Sequence, residues 1–187
     1  MNDSETPDPK RSRSIPRWAA LTLAPFVWMV GIPLGHGVVP WAVSLFGPRY
    51  GWHEDTPARW NLIGLVPVAA GVVVLLWLMV IGFAQAAEMP ERVELDWSPK
   101  ILVKRGPYAF SRHPMYLAEM SLWLGWAIVF GSPTVLAGFT ILCIGVNRVG
   151  RSEERDLEAK FGDQYREYIN GVPRWLRIRS RPASFGR

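Results

Sequence analysis

Two short stretches carry most of the reactive side chains in this chain of 187 residues. The first is Gly106-Pro107-Tyr108-Ala109-Phe110-Ser111-Arg112-His113-Pro114-Met115-Tyr116. Pro114 suits the first turn of a helix, where a missing N–H costs nothing. Tyr108, Arg112, His113 and Tyr116 therefore crowd one helix entrance. The second stretch is Arg148, Arg151, Glu153, Glu154 and Arg155, directly after an apolar run. Each has a plain reading. The first could be an interfacial anchor, with Arg on phosphate, Tyr on head groups and His as a cap. The second could be a solvated helix face, whose charge pairs are worth only about 0.2–0.5 kcal/mol each. Yet carboxylates at a membrane edge beside a basic loop are more expected if they hold something cationic or sugar-like. No metal is expected, because His36, His53 and His113 are far apart and no ligand spacing is present.

The elements that must position these residues are membrane helices. About half the residues (49%) are hydrophobic and ten are Trp, a residue that favours the membrane–water interface. A helix crosses a bilayer with about 20 apolar residues. The first span is expected at Trp18 to Leu34, where Gly31, Pro33, Gly35 and Gly37 would end or kink it. Val38 to Phe46 is then expected in the interface or as a re-entrant segment. Leu62 to Ala84 is the clearest span, with Pro67 implying a kink at most. Met120 to Asn147 is uncharged but broken by Gly131-Ser132-Pro133, which predicts a helical hairpin with arms Met115 to Phe130 and Pro133 to Asn147. Each arm is short for a span, and the second could continue as a helix into water. Leu157, Phe161, Tyr165 and Tyr168 then predict an amphipathic helix over Arg148 to Tyr168. The fold class is thus all-α: a polytopic transmembrane bundle of about four spans plus a cytoplasmic amphipathic helix. Cys143 lies in an apolar run and reads as a small buried hydrophobe.

Residues 1–17 read as a disordered cytoplasmic tail without a signal-peptide cleavage site, residues 18–174 as one membrane domain, and residues 175–187 as a basic interfacial tail. With four spans and the N-terminus inside, only Arg49 and Arg59 of the 21 Lys and Arg residues lie outside. That asymmetry puts both termini, and both reactive stretches, on the cytoplasmic side. The formal charge of +5 fits anionic lipid and not nucleic acid, because the basic residues flank apolar runs and form no stripe interleaved with aromatics. The expected location is a prokaryotic inner membrane, and no obligate protein partner is inferred.

Gly-Pro-Tyr, Arg-His-Pro-Met-Tyr, a hairpin, Glu-Glu, Phe161-Gly162, Tyr165, Tyr168 and Val172-Pro173-Arg174 follow one another between Lys100 and Arg174. This order resembles the isoprenylcysteine carboxyl methyltransferase and phospholipid methyltransferase superfamily. Residues 1–99 are similar only in being membrane helices, so the resemblance makes residues 100–174 the catalytic half. It implies a membrane methyltransferase that uses S-adenosylmethionine. Carried over by position, the cofactor contacts would be Lys100, Ile101, Leu102, Val103, Tyr108, His113, Pro114, Met115, Tyr116 and Glu153. The family often has a basic residue before the Glu-Glu pair that meets substrate. Val149 stands there, so that role falls between Arg148 and Arg151, with Glu154 beside them. The family's common Gly after Tyr-Leu is here Ala118, followed by Glu119, an ionisable residue close to a span and hence a candidate for the substrate pocket. The acceptor would be a lipophilic small molecule or lipid-modified group bearing a carboxylate, amine or thiol. An amine must first lose a proton, which favours a nearby base such as Glu. Phospholipid N-methylation and a non-catalytic lipid-binding scaffold are the alternatives.

Overall fold

The apolar runs become helices in the computed structural model, which describes residues 14–16, 19, 22, 26–86, 92–94 and 101–176. Most of residues 1–17, the start of the first span, Lys100 and everything beyond Leu176 lie outside the described residues. Ser14–Pro16 (β1), within the stretch read as a disordered tail, pairs antiparallel with Arg92–Glu94 (β4) of the middle loop.

Gly31, Pro33, Gly35 and Gly37, expected to end or kink the first helix, do not end it. The chain stays helical through two π-helical stretches, Val27–Gly31 and Leu34–Val38, into α1, Val39–Ser44. Pro33 and Pro40 each remove a backbone donor, and widening the turn steps past the missing bond. Most of Val38 to Phe46 therefore continues the first helix. A short loop follows, with a two-residue β2–β3 hairpin (Trp52–His53 and Thr56–Pro57).

A 3-10 turn, Asn61–Gly64, leads into α2, Leu65–Ala86, with Pro67 in the first turn where it breaks nothing. The predicted hairpin is present as α3, Pro114–Phe130, and α4, Pro133–Phe161. Gly131 makes the turn at φ 55°, a conformation that favours glycine, and Ser132 caps α4 by accepting from the Val135 N–H at 3.4 Å. The expected amphipathic helix over Arg148 to Tyr168 is divided between two elements, and of the two expectations for the second hairpin arm it is the continued helix that is observed. No proline stands between Asn147 and Phe161 and the single Gly150 is tolerated inside a helix, so α4 runs on through the charged cluster. It ends at Gly162 (φ 52°), and α5, Asp163–Gly171, follows.

The segments Asn61–Ala84 and Pro133–Phe161 are long and apolar enough to cross a membrane, while α3 is apolar but has 17 residues. Among the described residues, two of the four expected spans thus meet the length. Val66, Val73 and Val80 of α2 and Ile141 and Ile144 of α4 are exposed, as residues facing lipid would be. Between α2 and α3 the contact is made by small residues. A Cβ on Gly71 would lie 2.7 Å from the Ala118 carbonyl oxygen, and one on Gly125 would lie 2.6 Å from that of Gly64. Such residues let membrane helices approach backbone to backbone. Gly125→Leu is expected to force α2 and α3 apart and cost about 1–3 kcal/mol. Thermal unfolding in detergent checks this, and an unchanged melt would show that the close approach contributes nothing.

The loop between α1 and α2 closes the far end of the hairpin. Tyr50 donates its N–H to Gly131 O at 3.0 Å, and Asn61 donates to Tyr50 O at 3.1 Å and Ile128 O at 3.0 Å. The reactive stretches meet at the opposite end.

Candidate active site

The site begins at the entrance to α3. His113 sits at its N-cap and Pro114 at the first helical position. The preceding backbone is strapped to the chain beyond α5. Arg112 donates its N–H to Pro173 O at 3.1 Å and its Nε–H to Val172 O at 3.0 Å. The Ser111 hydroxyl donates to Arg174 O at 3.0 Å and accepts from the His113 N–H at 3.1 Å. On the other side, the Tyr168 hydroxyl donates to Tyr108 O at 2.7 Å. Tyr165, Tyr168 and Val172 form a buried cluster with Leu102, Leu157, Phe161 and Ile169 packed against it. The family-like run at residues 165–174 thus holds the loop before α3 in place.

The hairpin brings α4 back beside His113. The imidazole is 6% exposed, and each ring nitrogen faces a carboxylate: Nε2 lies 3.2 Å from Glu154 Oε1, and Nδ1 lies 3.5 Å from Glu153 Oε2. Tyr116 stacks on it at 5.5 Å between ring centres, and Trp175 approaches at 5.8 Å. Gly150 completes the cradle, since a Cβ there would meet His113 Nε2 at 3.2 Å.

The two glutamates have different surroundings. Glu154 is 8% exposed and held by two guanidinium groups. Its Oε1 is 3.1 Å from an Arg112 terminal nitrogen and accepts from Arg174 Nε–H at 2.8 Å, and its Oε2 also pairs with Arg174. Glu153 accepts from the Tyr116 hydroxyl at 2.6 Å, while nearly half its side chain stays open. Burial, with the Glu153 charge adding, pushes the Tyr108 hydroxyl above its ordinary pKa. Burial and the Glu154 charge push Tyr165 up to about 12. Both phenols therefore stay neutral at physiological pH.

Glu153 opens into a cavity of about 660 Å³, a size that suits a ligand of several hundred daltons. Ile101, Leu102, Val103, Tyr108, His113, Pro114, Met115, Tyr116 and Glu153 all line it. Every residue expected to contact a cofactor is there, apart from Lys100, which is not described. The three other expected residues are placed differently. Arg148 and Arg151 are exposed and do not line the cavity. Glu154 touches His113 but is itself turned to the guanidinium groups. Sequence reasoning missed Asp156, Leu157 and Lys160, which also line the cavity. They lie three, four and seven residues beyond Glu153, one face of a helix, so a continuous α4 would have pointed to them. It also missed the pairing of Arg112 and Arg174 with Glu154, for which spacing gives no signal.

A helical membrane protein with a cavity lined by charged and aromatic side chains at one end of a helix hairpin defines the class. The chain belongs to the phospholipid methyltransferase family, whose family model matches residues 61–164; this is the membrane methyltransferase superfamily that also holds the isoprenylcysteine enzymes. An uncharacterized protein of Haemophilus influenzae is 39% identical over 64 residues, a stretch that covers all of that protein and 33% of this chain. No solved structure matches this chain.

Proposed function

We propose that the protein binds S-adenosylmethionine in the 660 Å³ cavity and passes its methyl group to an amphiphilic acceptor that enters from lipid. The observation that carries this reading is the convergence of residues 101–103, 108, 113–116 and 153 on one cavity. Their chemistry fits the ligand. Glu153 can accept from ribose hydroxyls or pair with the ammonium. The faces of Tyr108 and Tyr116 attract a cationic sulfonium. Free N–H groups at the start of α3, with Lys160, suit the carboxylate. Leu102, Leu157 and Met115 supply apolar walls for the adenine.

When bound, the cofactor supplies an activated methyl group. The protein then has to align it with the acceptor and exclude water, and both lower the barrier to an in-line displacement. We place both termini and the cavity mouth on the cytoplasmic side, where a soluble cofactor is available. The Lys and Arg asymmetry supports this orientation.

The test is binding of S-adenosylmethionine by the purified full chain in neutral detergent, followed by titration calorimetry. Wild type is expected to bind. Glu153→Ala and His113→Ala are each expected to weaken binding by at least about tenfold, the loss of one charged hydrogen bond or its support. Folded wild type that does not bind overturns the reading. Binding that both variants retain in full overturns the site.

A further inference from the structure

At the end of the hairpin away from the cavity, one guanidinium is held in place by neutral groups alone. Arg49, in the loop after α1, donates its Nε–H and a terminal N–H to Ser44 Oγ at 3.1 and 2.6 Å. Ser44 is fully buried and gives its own proton to Trp41 O at 2.6 Å, so its oxygen is left to accept. The guanidinium carbon lies 5.1 Å from the centre of the Trp52 ring and 5.3 Å from that of Phe130. These supports are anchored in turn. Trp52 donates its indole N–H to Val129 O at 2.9 Å, Phe130 stacks on Trp126 at 5.5 Å, and the Thr134 hydroxyl donates to Val43 O, next to Ser44, at 3.0 Å. Residues from α1, the β2–β3 hairpin, α3 and α4 therefore fix one charged group.

The charge has no counter-ion in the chain. Among the described residues no carboxylate pairs with Arg49, although Glu54 and Asp55 stand in the same loop, and Ser44 takes only two of its N–H donors. A cation at a membrane edge is costly unless something pairs with it. Arginine suits phosphate in particular, because it is weakly hydrated and its planar fork can give two parallel N–H bonds. The surroundings are those of lipid head groups. Trp41, Tyr50 and Trp60 are exposed at this end, and Trp and Tyr favour the head-group level. Leu45 and Phe46, next to Ser44 in the chain, are also exposed and offer apolar surface to acyl chains. The length of α3, Pro114–Phe130, puts about 24 Å of rise between Phe130 and the cavity. A head group held at Arg49 is therefore out of the cavity's reach.

We propose that Arg49, oriented by Ser44, Trp52 and Phe130, binds the phosphate of one anionic phospholipid on the membrane face opposite the cavity. This lipid is held and not methylated, and its binding does not depend on the methyltransferase reading. Its phosphate supplies the acceptors that the guanidinium lacks. It also adds a fastening between α1 and α3 at the end where Tyr50 and Asn61 already tie the loop to the hairpin.

The experiment uses the full chain in neutral detergent. Native mass spectrometry follows the last lipid retained as collision energy is raised. Dioleoyl phosphatidylglycerol is compared with dioleoylglycerol, which has the same chains and no phosphate. Wild type is expected to prefer the phospholipid by at least about tenfold. Arg59→Gln removes a charge from an exposed residue of the same loop and should keep that preference within about twofold. Arg49→Gln should lower it at least about fivefold, and Ser44→Ala, which keeps the charge but frees the fork, at least about threefold. Ser44→Ala decides the matter if Arg49→Gln does not fold. Equal retention of the two lipids by wild type overturns the proposal, as does a preference kept in full by whichever of these two variants folds. Equal losses in Arg49→Gln and Arg59→Gln also overturn it, because net charge would then explain the binding. Melting temperatures are read on the same samples. Phosphatidylglycerol is expected to raise that of wild type more than that of Arg49→Gln. An equal rise with inorganic phosphate would assign the site to free phosphate and sink the lipid. A purely structural Arg49 would lower the melting temperature of the lipid-free variant and leave the lipid preference unchanged.

Discussion

Glu154→Ala is expected to destabilise the site end of the molecule by about 3–5 kcal/mol, the cost of removing one partner from a buried ion pair. The carboxylate is shared by Arg112, His113 and Arg174. Without it, two guanidinium groups are left side by side with no counter-charge. The strap between residues 111–113 and 172–174 depends on where those guanidinium groups sit, so it should loosen with them. Glu158→Ala is the contrast. Glu158 pairs with Arg166 at 2.9 Å, but both are exposed, and such pairs contribute about 0–1 kcal/mol. Thermal unfolding and limited proteolysis around Pro173 should therefore separate the two variants clearly. Equal melting temperatures would show that the buried carboxylate does not hold this end together.

Gly150→Leu is expected to abolish cofactor binding while leaving insertion and helix content unchanged. A Cβ at this position already comes within 3.2 Å of the His113 ring, and a leucine needs the space the ring occupies. The ring has nowhere to go, with Tyr116 stacked on it, Trp175 alongside and a carboxylate at each nitrogen. Gly150→Ala should lie between, because a shift of a few tenths of an ångström admits a methyl group. Gly145→Leu on the same helix meets nothing within 4 Å and serves as the control. Calorimetry with S-adenosylmethionine reads the series. Full binding by Gly150→Leu would mean that the position of His113 does not matter to the ligand.

The parts of the fold legible in the sequence were those written in charge and in strong breaks. α2 and the hairpin follow from uncharged runs and from Gly131-Ser132-Pro133, and the observed ends of α2 and α3 and the start of α4 fall within a few residues of expectation. The first helix was misjudged because Gly31, Pro33, Gly35 and Gly37 are breakers in water. In a bilayer, an open backbone has no solvent to bond to, and a widened helical turn is the cheaper answer. The change from apolar to charged residues after Asn147 allowed either a new element or a continued helix, and the helix continues. It marks a change of medium, and no proline in residues 148–161 stops a helix.

The candidate site was legible to a similar degree. The cavity residues near His113 follow from the ordered motif. Glu153 and Glu154 are adjacent and chemically alike, and only their surroundings separate them. Which one opens to the cavity depends on where Arg112 and Arg174 lie, and those contacts cross 42 and 20 residues of chain. No local pattern encodes them.

The unbroken length of α4 has a further consequence. Pro133 and Glu153 are twenty residues apart on it, about 30 Å of rise, which is the thickness of a bilayer's hydrocarbon core. The helix therefore works as a ruler. With Pro133 anchored at one face of the membrane, Glu153 reaches the plane where acyl chains give way to head groups. On the proposed reading, a soluble donor and a membrane-dissolved acceptor meet there without either leaving its own phase.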